Sequence, residues 1–128
     1  MKTTTAIIIT GVIIGIIIVL FIGRNAEPAQ QENIQNVSIV DGKQIIEIKA
    51  KGGYTPRVSI AKSGIPTILR FDTKGTFDCS ASVRIPSVNV SEILPNSGTR
   101  NVDIGLPEAG TLKGSCGMGM YPFQINFQ

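Results

Sequence analysis

Cys116-Gly117-Met118-Gly119-Met120 sets one thiol and two thioethers at alternate positions of a five-residue run. The chain holds two cysteines and three methionines, the others being Cys79 and Met1, so most of its sulfur is gathered here. Thiolate and thioether are soft donors, and soft donors select copper(I). Cys79, Cys116, Met118 and Met120 are therefore the candidate metal ligands. Together they suffice for one three- or four-coordinate copper(I) ion, or for two ions bridged by the cysteines. The alternating glycines give the backbone the freedom to curl, so that the sulfurs can converge.

The absent residues narrow the chemistry further. The chain has no histidine. Copper(II), which favours imidazole, lacks its ligand, and so does a blue-copper centre of two imidazoles and one thiolate. Structural zinc sites need more cysteine and histidine than this chain contains. A Cys79–Cys116 disulfide is the competing use of the two thiols, and the ordinary one for an exported domain with two cysteines. Methionine also fills gaps in cores, but methionine flanked by glycine on both sides is not a core pattern.

Other chemistry is sparse. Without histidine there is no general base of the usual kind and no nucleophile dyad, so an enzyme is not expected. Lys113-Gly114-Ser115 is only a fragment of a phosphate-binding loop. Glu47 is a candidate oxygen ligand if its strand face lies near the sulfurs, although a solvated face is the ordinary reading of such a residue. Asp78 could tune the charge beside Cys79, with surface solvation again the simpler account. Net charge is +3, but beyond Arg24 ten Lys/Arg stand against nine Asp/Glu. So balanced a domain gives no basic footprint for nucleic acid.

The elements that must position these residues follow from texture. From Val37 onward, short β-branched runs alternate with Gly, Pro, Asn and Asp, the pattern of an all-β sandwich or barrel. Strands are expected at 44–51, 57–61, 66–72, 79–85, 99–104, 109–115 and 121–127. Ile46, Ile48 and Ala50 share one strand face, and Tyr121, Phe123, Ile125 and Phe127 share another. Residues 87–94 suit a helical turn or a short strand. Cys79 opens one predicted strand and Cys116 follows another, so the sandwich must bring them together.

Ahead of this domain lies an uncharged, strongly apolar run, Ala6 to Ile22, flanked by Lys2 and Arg24. As a helix it spans about 26 Å at ~1.5 Å per residue, near the short end of a bilayer span. It ends without a small-residue cleavage site, so a retained anchor is expected over a cleaved signal. The expected division is a transmembrane anchor at 1–24, a flexible polar linker at 25–43 and a metal-binding domain at 44–128. The positive charges on the two flanks nearly balance and encode no orientation.

The runs Gly52-Gly53-Tyr54-Thr55-Pro56-Arg57-Val58, Lys62-Ser63-Gly64-Ile65-Pro66 and Pro107-Glu108-Ala109-Gly110 resemble the loop spacing of the cupredoxin superfamily. Cys79 falls where a blue-copper protein has its first histidine, and Cys116 where it has its cysteine. The Cys…Cys-Gly-Met-Gly-Met pattern is similar to that of membrane-anchored copper(I) chaperones of the CupA type. It is also similar to cupredoxin-like domains of copper-exporting P-type ATPases. The resemblance implies a cupredoxin-like Greek-key β-sandwich behind a single transmembrane helix. It implies a binuclear copper(I) site on Cys79, Cys116, Met118 and Met120, and hand-over of copper to the metal-binding domain of an exporting ATPase in copper resistance. It implies a cell-membrane protein whose domain faces the cytoplasm, where thiols stay reduced. An electron-transfer domain and a disulfide-stapled structural module are the alternatives.

Overall fold

In a computed structural model of the chain, residues 2–22 and 35–128 are described. The chain divides into Met1–Asn33 and Ile34–Gln128.

The first unit holds helix α1, Lys2–Ile22. Its described side chains are Thr4 and residues 6–18, all exposed. The hydroxyl of Thr10 donates to the carbonyl of Ala6 at 2.7 Å, so this lone mid-helix polar group is satisfied within the helix. Among the described residues no helix is long and apolar enough to cross a membrane. The transmembrane helix expected from sequence therefore has no counterpart among them. The expected linker, over 25–34, lies outside the described residues.

The second unit is a sandwich of two sheets. Sheet A contains β1 (Val37–Val40), β2 (Lys43–Ala50), β3 (Tyr54–Thr55), β5 (Thr67–Lys74) and β8 (Ser97–Gly105). Its order is β1-β2-β5-β8, with β3 paired to the end of β2. Sheet B contains β4 (Val58–Ala61), β6 (Ser82–Ile85), β7 (Val90–Ile93), β9 (Gly110–Cys116) and β10 (Pro122–Phe127), in the order β4-β10-β9-β6-β7. Two pairings are parallel, β2 with β5 and β4 with β10.

Strict alternation builds the core. Ile46, Ile48, Ala50, Leu69 and Phe71 point inward from sheet A, and Val83, Ile85, Phe123, Ile125 and Phe127 from sheet B, all buried. Each such large side chain contributes about 1.5–3 kcal/mol by leaving water. At the centre Tyr54 packs on Phe71 and Phe123 with ring centroids 6.1 and 4.9 Å away. At the far end Gln44, buried, donates to the Lys62 carbonyl at 2.9 Å and the Thr67 hydroxyl at 3.0 Å, and accepts from the Lys62 N–H at 2.9 Å. It thereby joins β2 to the loop that leads into β5.

Each strand expected from sequence has a counterpart, with shifted ends. The 79–85 stretch splits into a 3-10 turn, Cys79–Ala81, and β6. The 87–94 stretch takes in the end of a 3-10 turn, Pro86–Val88, and all of β7. β1 lies inside the stretch read as linker, and β3 is a two-residue strand that alternation could not reveal.

Candidate metal site

Cys116 closes β9, whose inward residues are Leu112, Gly114 and Cys116. It pairs across to Val83 of β6 and is 1% exposed. Gly114 is inward because the ring of Phe123 occupies the place of a side chain. A Cβ there would stand within 3.0 Å of three ring atoms.

The loop 117–121 folds back on Cys116. The Gly119 N–H donates to the Cys116 carbonyl at 2.9 Å, and the Cys116 N–H to the Tyr121 carbonyl at 3.2 Å. Gly119 has φ +75°, a left-handed conformation that glycine adopts without strain. Gly117 donates to the Ser82 carbonyl at 3.2 Å, and a Cβ on it would meet the Ser82 hydroxyl at 2.8 Å. This tight turn pushes Met118 and Met120 outward, where they are 75% and 60% exposed.

Cys79 does not begin a strand. It sits in the 3-10 turn Cys79–Ala81, half-buried, with Asp78 as N-cap. One Asp78 oxygen accepts from the Ser80 N–H at 2.8 Å and from the Ser80 hydroxyl, and the other accepts from the Gly52 N–H at 2.9 Å. The Ser80 hydroxyl, then the Gly52 and Ser80 amides, hold the Asp78 carboxyl below the usual carboxylate range. Asp78 is exposed, as the sequence reading expected, and it also fastens the Cys79 turn. The signal was present, since Asp-x-Ser is a common local capping pattern.

The fold brings Cys79 and Cys116 together, with Cα atoms 5.8 Å apart and the sulfurs paired as a disulfide. The Cys79 turn and the end of β9 thus meet, with Met118 and Met120 on the adjoining exposed loop. Among the described residues no group of three or more His, Cys, Asp or Glu side chains could hold a metal. Glu47 is not part of this place. It lies on the outer face of sheet A, where it meets Arg70 at 3.5 Å, while Cys116 is buried on the inner side of sheet B.

Behind the cysteines stands Tyr54. Its hydroxyl donates to the Ser82 carbonyl at 3.0 Å. Burial, then the charge of Asp78, pushes its phenol well above the ordinary tyrosine value.

Residues 12–125 match the family model of a cupredoxin-like domain. No curated protein matches the chain. Among solved structures, the chain is similar to a copper-binding protein determined by NMR in its apo form. Identity is 29%, coverage is 73% of this chain and 96% of that one, and the TM-score is 0.67. It is also similar in fold to the metal-binding domain of the Cu(I)-exporting P-type ATPase CopA of Streptococcus pneumoniae, crystallised with Cu(I). There identity is 24%, coverage is 72% and 92%, and the TM-score is 0.65.

Proposed function

Because the chain belongs to the cupredoxin-like domain family, we propose that it is a carrier of copper(I), bound through Cys79, Cys116, Met118 and Met120. One observation carries this reading: a turn and a strand far apart in sequence deliver two cysteines to one point, beside a glycine-flanked loop that exposes two thioethers. The relative at 29% identity is a copper-binding protein, which supports copper as the cargo. Copper(I) is the cargo. The reduced cysteines lose their protons and supply two thiolates, and Met118 and Met120 supply labile thioethers. Exposed thioethers can be displaced one at a time by incoming sulfurs, which is the chemistry of hand-over. Two thiolates can also bridge a pair of ions.

In this reading the chain is a chaperone and not an enzyme. It passes copper to the metal-binding domain of a copper-exporting P-type ATPase and serves copper resistance. Helix α1 exposes isoleucine and valine on every side, a surface suited to lipid. It tethers the domain to the cell membrane, on the cytoplasmic side where thiols are kept reduced. Tethering raises the effective concentration of carrier near a membrane exporter.

The test is anaerobic titration of the reduced full chain with copper(I) against a competing chelator. One or two tightly held ions are expected, lost in a Cys79→Ser, Cys116→Ser double variant. Stoichiometry near zero refutes the reading. Fractionation of cells checks the tether: the protein should remain with membranes after a carbonate wash.

A second reading is favoured by the observed pairing of the cysteines. As a permanent disulfide across 37 residues, the bond would stabilise the fold by about 4 kcal/mol in the loop-entropy picture. A Cys79–Cys116 bond that persists in cells, with no copper bound, would establish that structural role.

A further inference from the structure

Residues 50–54, at the turn between β2 and β3, contain no candidate ligand, yet touch every segment that carries one. The carbonyl of Ala50 accepts from the buried hydroxyl of Thr76, three residues before Cys79, at 2.6 Å. The Gly52 N–H donates to Asp78, which caps the Cys79 turn, at 2.9 Å. Gly53, buried with φ +118°, lies against Tyr121, the residue after Met120, so that a Cβ on it would be 3.6 Å from the ring. The Tyr54 hydroxyl donates to the Ser82 carbonyl at 3.0 Å, and that same carbonyl accepts from the Gly117 N–H, next to Cys116, at 3.2 Å.

These ties differ in kind from general loop packing. Each ends within three residues of a candidate sulfur ligand, and they converge from one short stretch. The stretch is itself rigid. β3 pairs with the end of β2, the Lys51 N–H donates to the Gly53 carbonyl at 2.9 Å, and the Tyr54 ring is locked between Phe71 and Phe123. Both Asp78 carboxylate oxygens accept hydrogen bonds from the Cys79 turn or from Gly52, which ties the turn to this stretch.

We infer that the 50–54 segment is a brace that sets the spacing of Cys79 and Cys116, with Asp78 and Tyr54 as positioning residues for copper(I) binding. The inference rests on the copper(I) reading above. Hydrogen bonds that orient ligands from behind are worth about 10–100-fold in metal affinity in known sites. Severing the brace should cost a similar factor while both cysteines are present, because only then does their spacing matter.

The experiment is a double-mutant cycle on the full reduced chain, titrated anaerobically with copper(I) against chelators of graded strength. Asp78→Ala should weaken binding about 10–100-fold in the parent and leave it unchanged within about twofold in a Cys79→Ser background. Tyr54→Phe keeps the ring packing and removes only the hydroxyl. It is the second variant should Asp78→Ala fail to fold, and should give the same pattern. The ultraviolet thiolate-to-copper band should shift in both variants. An equal loss in both backgrounds, or no loss, overturns the brace while leaving the copper(I) site standing. Failure of the parent itself to bind copper(I) overturns both.

Discussion

Gly114→Ala adds one methyl group where β9 pairs with β10, opposite Phe123. The added Cβ would lie within 3.0 Å of three atoms of the Phe123 ring, closer than real Cβ contacts come. The ring cannot step aside freely. Phe123 is 3% exposed, with the Tyr54 ring centroid 4.9 Å away and that of Phe71 5.9 Å away. Two effects compete. Alanine restricts the unfolded chain and so stabilises by about 0.4–1 kcal/mol, whereas overpacking a tight core costs about 1–3 kcal/mol. Overpacking wins, for a net loss of roughly 1–2 kcal/mol. In a domain of this size each kcal/mol moves the melting temperature by about 4–8 °C, so a fall of roughly 5–15 °C is expected by circular dichroism. Phe123→Leu introduced alongside should recover part of the loss, since the two side chains share one space. An unchanged or raised melting temperature for Gly114→Ala would refute the packing argument.

Met118→Leu and Met120→Leu remove the thioethers at exposed positions. Stability should change by less than about 0.5 kcal/mol, while copper(I) transfer to a thiol-rich acceptor, followed by stopped flow, should change in rate. The Asp78 carboxyl is held below its ordinary value of 3.8 by its hydrogen bonds. Its stabilising effect is present above that value and is lost as pH falls through the lower folded value. Asp78→Asn should therefore be less stable than the parent at pH 7, and the gap should close in strong acid; a gap independent of pH would contradict this. The phenol of Tyr54 is shifted the other way, so its contribution is complete below pH about 10 and disappears as pH rises beyond it. Ultraviolet titration should show Tyr54 ionising only as the domain unfolds in alkali.

Much of the sandwich was legible because alternation is a strong signal where one face is buried. QIIEIKAK and PFQINF each carry three inward apolar residues at spacing two, and each became a strand with that face inside. β1 was not legible as a separate strand, since VSIV follows a polar stretch and only Val37 packs on the core. Nor was β3, which is fixed by its pairing with β2 and by the burial of Tyr54. The candidate ligands were visible through residue type alone, but their arrangement was not. Cys79 fell in a turn because Asp78 and Ser80 cap it locally, a preference that competes with strand formation. Glycine at 114 gave no sign of its role, because what excludes a side chain there is a ring nine residues later in the chain.

The parallel pairing of β4 with β10 bears on the order of folding. In sheet B, β4 has no neighbour except β10, and Val58 is matched with Gln124, about 66 residues further along. During synthesis β4 therefore emerges long before its partner exists and must wait with its hydrogen-bonding edge open. Sheet B cannot close, nor can the loop 117–121 be clamped from both sides, until β10 has been made. Such long-range pairing slows folding and leaves a strand edge exposed in the meantime. The outward-facing Val58 and Ile60, still 45% and 50% exposed in the finished fold, give that waiting edge an apolar face.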